Sequence, residues 1–172
     1  MSRLSLTAPL ASATSTVREL QPSDADAVVA QAARGVPIAR GRILIPSNSE
    51  QASAQIAEFD ALREKDQATL LGVFDSQSGE LAGVISLRLH EDFVAEGALW
   101  NADHHGTRRV TADGLALLTA HAHRHMGIIR LWVEVDPLDQ FARYLSAKGG
   151  WQLEAKIRPP GGPDKDRYSS VR

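Results

Sequence analysis

The chain has 172 residues, 43% hydrophobic and 23% charged, with a net charge of −2. This suits one globular domain with a substantial core and gives no electrostatic case for nucleic acid as the main partner. There is no cysteine, which excludes disulfides, thiolate metal sites and a cysteine nucleophile; no run approaches the roughly 20 apolar residues of a membrane helix, and a cytoplasmic protein is expected.

Met1 to Thr16 is rich in Ser, Thr and Ala, and its apolar stretch is too short and broken for a secretory signal. Residues 1–15 are therefore expected as a disordered leader and residues 16–172 as a single domain. Thr16–Leu20 alternates and predicts the first strand. Gln21-Pro22-Ser23-Asp24 starts a helix, with Ser23 as its cap and Gly35 as its end. Pro37–Pro46 is a connection, either a loop or a short helix, that carries Arg40, Arg42, Ile43 and Leu44 and can cover a substrate opening. Ser47 with Glu50 forms a capping box. The helix that follows puts Ala52, Ile56, Phe59 and Leu62 on one face and ends near Glu64-Lys65-Asp66. Thr69–Asp75 and Leu81–Leu89 flank the turn Ser76–Glu80 and predict a hairpin.

After His90-Glu91-Asp92, Ala95–Trp100 leads into Asn101-Ala102-Asp103-His104-His105-Gly106-Thr107. A long helix then spans about Arg108 to Met126, with Leu115, Leu118, Ala122 and Met126 as its core face and Gly127 as its C-terminal cap. A strand feeding a glycine turn that opens a helix is a phosphate cradle. The backbone N–H groups there are unpaired, and the helix start carries partial positive charge. Ile128–Val135 is expected as a central strand, apolar on both faces around Arg130 and Glu134. Pro137 ends it, Leu138–Lys148 is helical, and Gly149-Gly150 turns the chain out. Trp151–Ile157 and Asp166–Val171 are the last strands, joined by the Pro159–Pro163 loop. Of His121, His123 and His125 only the first and last share a helix face, with no acidic partner at ligand spacing, so these are read as surface histidines and no metal site is expected.

Three local patterns, taken in order, carry a family resemblance. Trp100 to Thr111 stands where the family has a strand, then Q/R-x-x-G-x-G/A, then a helix. Val135-Asp136-Pro137-Leu138-Asp139-Gln140-Phe141-Ala142, continuing to Lys148-Gly149-Gly150-Trp151, follows V-x-P-x-N-x-x-S-x-x-x-x-x-K-x-G-F. Gly162–Val171, with Asp166 and Tyr168, is similar to the family's final strand. Over about Val17 to Val171 the chain resembles the GNAT superfamily of acyl-CoA-dependent N-acyltransferases. Within it, the chain resembles the branch that contains the ribosomal-protein-alanine N-acetyltransferases and similar small-amine and peptide acetyltransferases. The resemblance implies a mixed α/β fold with a central, mostly antiparallel sheet of about six to seven strands and about four helices.

It also implies acetyl-CoA as co-substrate. The pyrophosphate would rest on Gly106, Thr107, Arg108, Arg109, Val110 and Thr111, and Leu99, Trp100 and Asn101 would flank the pantetheine and thioester. Asp139, at the family's Asn position, belongs to the same cofactor-binding set. Arg108 replaces a Gly or Ala of the family: it either crowds the backbone or swings outward with Arg109 to pair with CoA phosphates. Ala142 replaces a Ser that serves the leaving thiolate, and Ser146 fills a position where other branches carry a Tyr. Tyr144 is the candidate replacement acid, although helical geometry points it elsewhere.

Thioester-to-amine transfer needs a base for the amine, a donor for the oxyanion and an acid for the thiolate. Glu96 is the candidate base and His90 a candidate relay near neutral pH; His104 and His105 read as exposed loop residues. The expected acceptor is a primary amine of a small molecule or peptide, and a homodimer is compatible with the fold. Arg108, Asp139 and Ala142 leave a second reading open, a catalytically degenerate module that binds a ligand or protein through the same cleft.

Overall fold

The computed structural model describes residues 2–33, 35–39, 43, 45–91, 93–102 and 105–172. In chain order the elements are β1 (Leu10–Ala11), β2 (Ser15–Glu19), a 3-10 turn (Pro22–Asp24), α1 (Ala25–Ala32), β3 (Gly35–Ala39), α2 (Ser49–Glu64), β4 (Ala68–Asp75), β5 (Leu81–Glu91), β6 (Val94–Ala102), α3 (His105–His125), β7 (Arg130–Val135), α4 (Gln140–Lys148), β8 (Gln152–Ile157) and β9 (Lys165–Val171). The strands make one nine-stranded sheet in the order β1-β2-β4-β5-β6-β7-β9-β8, with β3 added against β6. Among the described residues only β6 and β7 pair parallel. The mixed, mostly antiparallel sheet and the helices are those expected; β1 and β3 are the additional strands.

Residues 2–15 are not a disordered leader. Leu4 is 0% exposed and Leu6 and Leu10 pack against the same core. Ser2 Oγ donates to Asp66 Oδ1 at 2.6 Å and the Arg3 N–H to the same oxygen at 2.7 Å. Leu10 pairs with Val17. Compositional reading failed here because Leu4 is buried and Leu6 and Leu10 pack partly buried beside it, while the serines supply hydrogen bonds that an extended arm needs.

Two helix starts also differ from expectation. Ser23 does not cap; Asp24 reaches back to accept from the Gln21 N–H at 2.7 Å. Gly35 does not end α1 but opens β3. The box at α2 is shifted by one residue: Asn48 Oδ1 accepts from the Gln51 N–H at 2.9 Å, and Gln51 Oε1 accepts from Ser47 N–H at 3.0 Å. Ala52, Ile56 and Phe59 are buried and Leu62 packs beside them, as their spacing requires.

Asp24 also takes both guanidinium N–H groups of Arg18, at 2.7 and 2.8 Å. That hydrogen bonding by Arg18 holds its carboxyl below the ordinary range, against the opposing effect of burial. A depressed folded-state value means the contribution is fully present above the unfolded value of about 3.9 and is lost as pH falls through the folded one. Asp24→Asn is therefore expected to lower Tm at neutral pH, with the difference from wild type closing below about pH 4. A constant difference across a pH series of melts would refute this.

The core divides by face. α3 packs with β2, β4 and β5 in one cluster that also takes Leu131, Val133 and Val135 of β7 and Ala142 and Leu145 of α4. α1 and α2 enclose a second cluster on the opposite face, including Leu70, Val84 and Trp100. β4 and β5 are therefore buried along both faces. β7 was expected to be apolar on both faces, but it alternates. Its Arg130, Trp132 and Glu134 point away from the core cluster, and their charged partners come from β8 and β9: Glu154, Lys165 and Arg167.

Candidate active site

β6 and β7 run together for only three positions, Val94↔Arg130, Ala95↔Leu131 and Glu96↔Trp132. Beyond Glu96 they part. β5 holds the other edge of β6 throughout, pairing as far as Gly83↔Asn101. Higher up, β3 takes the edge that β7 has left, with Gly35↔Ala102, Val36↔Asn101, Pro37↔Trp100 and Ala39↔Leu99. Gly97 and Ala98 fall between the two partners, in register with neither. At this gap an apolar cavity of about 20 Å³ opens, lined from β6 by Gly97, Ala98 and Leu99, from β7 by Val133 and Val135, and from α4 by Ala142, Leu145 and Ser146.

Strand alternation divides the β6 side chains between two faces. Leu99 joins the α3 cluster and Trp100 the α1/α2 cluster. Asn101 also turns toward α3, where its Nδ2 donates to Thr107 Oγ1 at 3.2 Å and its Oδ1 accepts from Thr111 Oγ1. All three are buried. This polar group fastens the end of β6 to the first turns of α3. Gly83 leaves room for it: a Cβ there would lie 2.9 Å from the Trp100 carbonyl oxygen and 3.2 Å from Thr111 Oγ1.

The expected cradle lies at this junction, but α3 begins earlier than the sequence suggested. His105, Gly106 and Thr107 already belong to the helix, so Gly106 is a first-turn residue instead of part of a preceding loop. Asp103 and His104 lie outside the described residues. The first-turn N–H groups still lack intrahelical acceptors, and the helix dipole is positive there. Val110 and Thr111 are buried, so these two can serve an anion only through the backbone. Arg108 lies with Cζ 5.0 Å from the Phe141 ring centroid, turned toward α4. Arg109 points outward, 3.9 Å from Asp113.

Asp139 has a structural role. It is the N-cap of α4, and its Oδ1 accepts from the N–H groups of Phe141 and Ala142, both at 2.9 Å. Asn and Asp are about equally good at this position, so the family's Asn and this Asp are interchangeable as caps.

Glu96 and His90, singled out separately in the sequence, meet. His90 Nε2 lies 2.7 Å from Glu96 Oε2. The imidazole also sits 5.5 Å from the Trp132 ring, and Arg167 covers the same indole at 4.5 Å. The acid–imidazole pair thus stands at the parting of β6 and β7, on the face that carries Trp132.

Tyr144 is not brought to the cavity. It is 40% exposed and stacks on Phe141 at 6.1 Å. Ser146 is the hydroxyl at the cleft: it is 3% exposed, lines the cavity, and donates to the Ala142 carbonyl at 2.9 Å. The signal for it was available, because Ala142 and Ser146 are four residues apart and must share a helix face. Trp132 was missed as a site residue because the strand was read as buried on both faces.

His121, His123 and His125 of α3 make contacts within the fold. His121 and His125 stack at 4.8 Å, and burial, with the neighbouring His125 second, holds the His121 imidazole below its ordinary range. His123 Nδ1–H donates to the Ile128 carbonyl at 2.7 Å, and its Nε2 pairs with Ser170 Oγ at 3.0 Å. Among the described residues, no three metal-binding side chains stand together, and no helix is long and apolar enough to cross a membrane.

Residues 15–152 match the family model of the acetyltransferase (GNAT) domain. No curated protein sequence matches the chain. Among solved structures, RimL, a ribosomal L7/L12 alpha-N-protein acetyltransferase in complex with coenzyme A, superposes with a TM-score of 0.79 at 16% identity, covering 95% of this chain and 98% of that one. A ribosomal-protein-S5-alanine acetyltransferase from Vibrio fischeri gives 0.73 at 14% identity, with 95% and 96% covered. The microcin C7 self-immunity acetyltransferase MccE, in complex with acetyl-CoA and AMP, gives 0.75 at 14% identity, with 94% of each chain covered. At these identities the likeness to the three structures is one of fold.

Proposed function

Because the chain belongs to the GNAT acetyltransferase family, we propose that it moves an acetyl group directly from acetyl-CoA to a primary amine of a peptide or small molecule at the parting of β6 and β7. One observation carries this reading. The N-terminal turn of α3, the stretch Gly97–Ala98 that neither β3 nor β7 pairs, and the apolar cavity beneath it follow one another along β6.

In this reading the first-turn amides of α3 hold the pyrophosphate, with Arg109 presented outward beside them. The backbone of Leu99–Asn101 pairs with the pantetheine arm. An N–H of Gly97 or Ala98 faces the oxyanion. Glu96 takes the proton of the attacking amine, directly or through His90. As the amine nitrogen bonds to the acyl carbon, the carbon–sulfur bond breaks and the departing thiolate leaves beside Ser146, where a proton completes the thiol. The amine approaches over Trp132, on the face opposite the cavity.

The reading makes one demand on the fold. β3 holds the edge of β6 that the pantetheine arm needs, so β3 gives up that edge when the arm binds. The three departures behind a degenerate module lose their weight: Asp139 caps α4, Arg108 lies over Phe141, and Ala142 shares its cavity with Ser146.

Calorimetric titration with acetyl-CoA, with free CoA as control, is expected to show micromolar binding; none at millimolar ligand would remove the co-substrate. With an amine found by screening peptides and small amines, Glu96→Gln is expected to lower kcat by about 10²- to 10⁴-fold while leaving the acetyl-CoA Kd in place. An unchanged kcat would take Glu96 out of the mechanism.

A further inference from the structure

The cavity at the strand gap is closed on its inner side by one large residue. Trp151 is 4% exposed and held from two directions. Its Nε1–H donates to Thr119 Oγ1 on α3 at 2.9 Å, and Thr119 Oγ1 in turn donates to the Leu115 carbonyl at 2.7 Å. Gly149 lets the same five-membered end of the indole pack close, since a Cβ there would meet Trp151 Cδ1 at 3.0 Å and Nε1 at 3.2 Å. So fixed, the far corner of the ring reaches β6: a Cβ on Gly97 would stand 3.6 Å from Trp151 Cη2 and 3.5 Å from Val133 Cγ1. The indole and Val133 therefore bound the space below the backbone gap.

Resting on the acyl-CoA reading above, we propose that Trp151 determines acyl-chain length: it closes the cavity at a depth that admits the two-carbon acetyl group and turns away longer acyl chains. The space is about 20 Å³, roughly what one water or one methyl group requires. Its walls are close-packed apolar side chains and a tethered ring, which yield little. An arm running from the α3 turn along Asn101, Trp100 and Leu99 brings its thioester to Ala98 and Gly97, and the acyl methyl then faces Val133 and the edge of Trp151. Each further methylene must displace one of them. A hydrophobic pocket discriminates a single methylene by about 10- to 200-fold.

The test is a set of calorimetric titrations of the full chain with acetyl-, propionyl-, butyryl- and hexanoyl-CoA, which needs no knowledge of the amine. Wild type is expected to bind butyryl-CoA at least about 10-fold more weakly than acetyl-CoA. Trp151→Phe should bring the two within a factor of about three. Val133→Ala, which widens the same space from β7 and leaves the Thr119 bond intact, should move the ratio in the same direction and stands in if Trp151→Phe does not fold. Equal wild-type binding of acetyl- and butyryl-CoA overturns the gauge while leaving the CoA site standing. So does a ratio that neither cavity variant moves. Failure of wild type to bind any of the four overturns the CoA reading itself.

Discussion

A disulfide between Gly35→Cys and Ala102→Cys is expected to abolish acetyl-CoA binding when oxidised and to restore it on reduction. These two positions are directly paired across β3 and β6. Paired residues of antiparallel strands have Cα atoms about 4.5–5.5 Å apart, within the range a disulfide spans. The chain has no cysteine of its own, so the cross-link forms without competitors. Neither position supplies a side chain to the proposed chemistry. The reason for the loss is that one edge of β6 cannot pair with two partners. Its Leu99–Ala102 segment is held by β3, and β5 already has the other edge.

The unlocked competition should be mild. Pro37 brings no amide hydrogen to the pairing, and the register slips between Pro37 and Ala39. Apparent affinity falls only by the fraction of molecules in which β3 is away, whereas a covalent lock removes that fraction altogether, for an expected loss of at least about 100-fold. Equal acetyl-CoA binding by the oxidised and reduced forms would show that the arm takes another path. Hydrogen exchange on the unmodified protein gives an independent sign: CoA should protect the start of α3 and expose residues 35–39. Protection of both would contradict displacement.

Asn101→Leu should destabilise the fold by about 2–4 kcal/mol, because it leaves the Thr107 and Thr111 hydroxyls buried without their amide partner at about 1–3 kcal/mol each. It should also weaken acetyl-CoA binding, since this polar group fixes the end of β6 to the turn of α3 proposed for the phosphates. The triple replacement Asn101→Leu, Thr107→Val, Thr111→Val is expected to recover part of the stability, because it removes the two hydroxyls that the single change leaves without their amide partner, while the Ala82 carbonyl loses its Thr111 donor. Denaturant melts of the single and triple variants measure this. A triple variant less stable than the single one would mean that the trio's packing, not its hydrogen bonding, holds the junction.

The helices and long strands were legible because each is a local pattern. Leu115, Leu118, Ala122 and Met126 recur at helical spacing and are all buried. The hairpin around Ser76–Glu80 is announced by its turn residues, and Gly127 adopts the left-handed φ of +69° that a helix C-terminus favours. The misreadings came from partners distant in the chain. Residues 2–15 pass for a leader until Leu4 has a core to enter. β7 passes for a strand buried on both faces until only one face proves covered.

By itself the sequence determined the order of the main elements, the glycine-bearing helix start that suits an anion, and the acidic and imidazole groups able to handle a proton. All of these follow from periodicity and from the chemistry of single residues. The tertiary structure alone decided that Glu96 and His90 lie 2.7 Å apart, that Ser146 instead of Tyr144 faces the cavity, that Trp151 lines it, and that β3 holds an edge of β6. Which strand claims a free edge, and which side chain reaches across a gap, depend on where β6 and β7 part. No local pattern encodes that point, because it is set by the packing of the whole sheet against its helices.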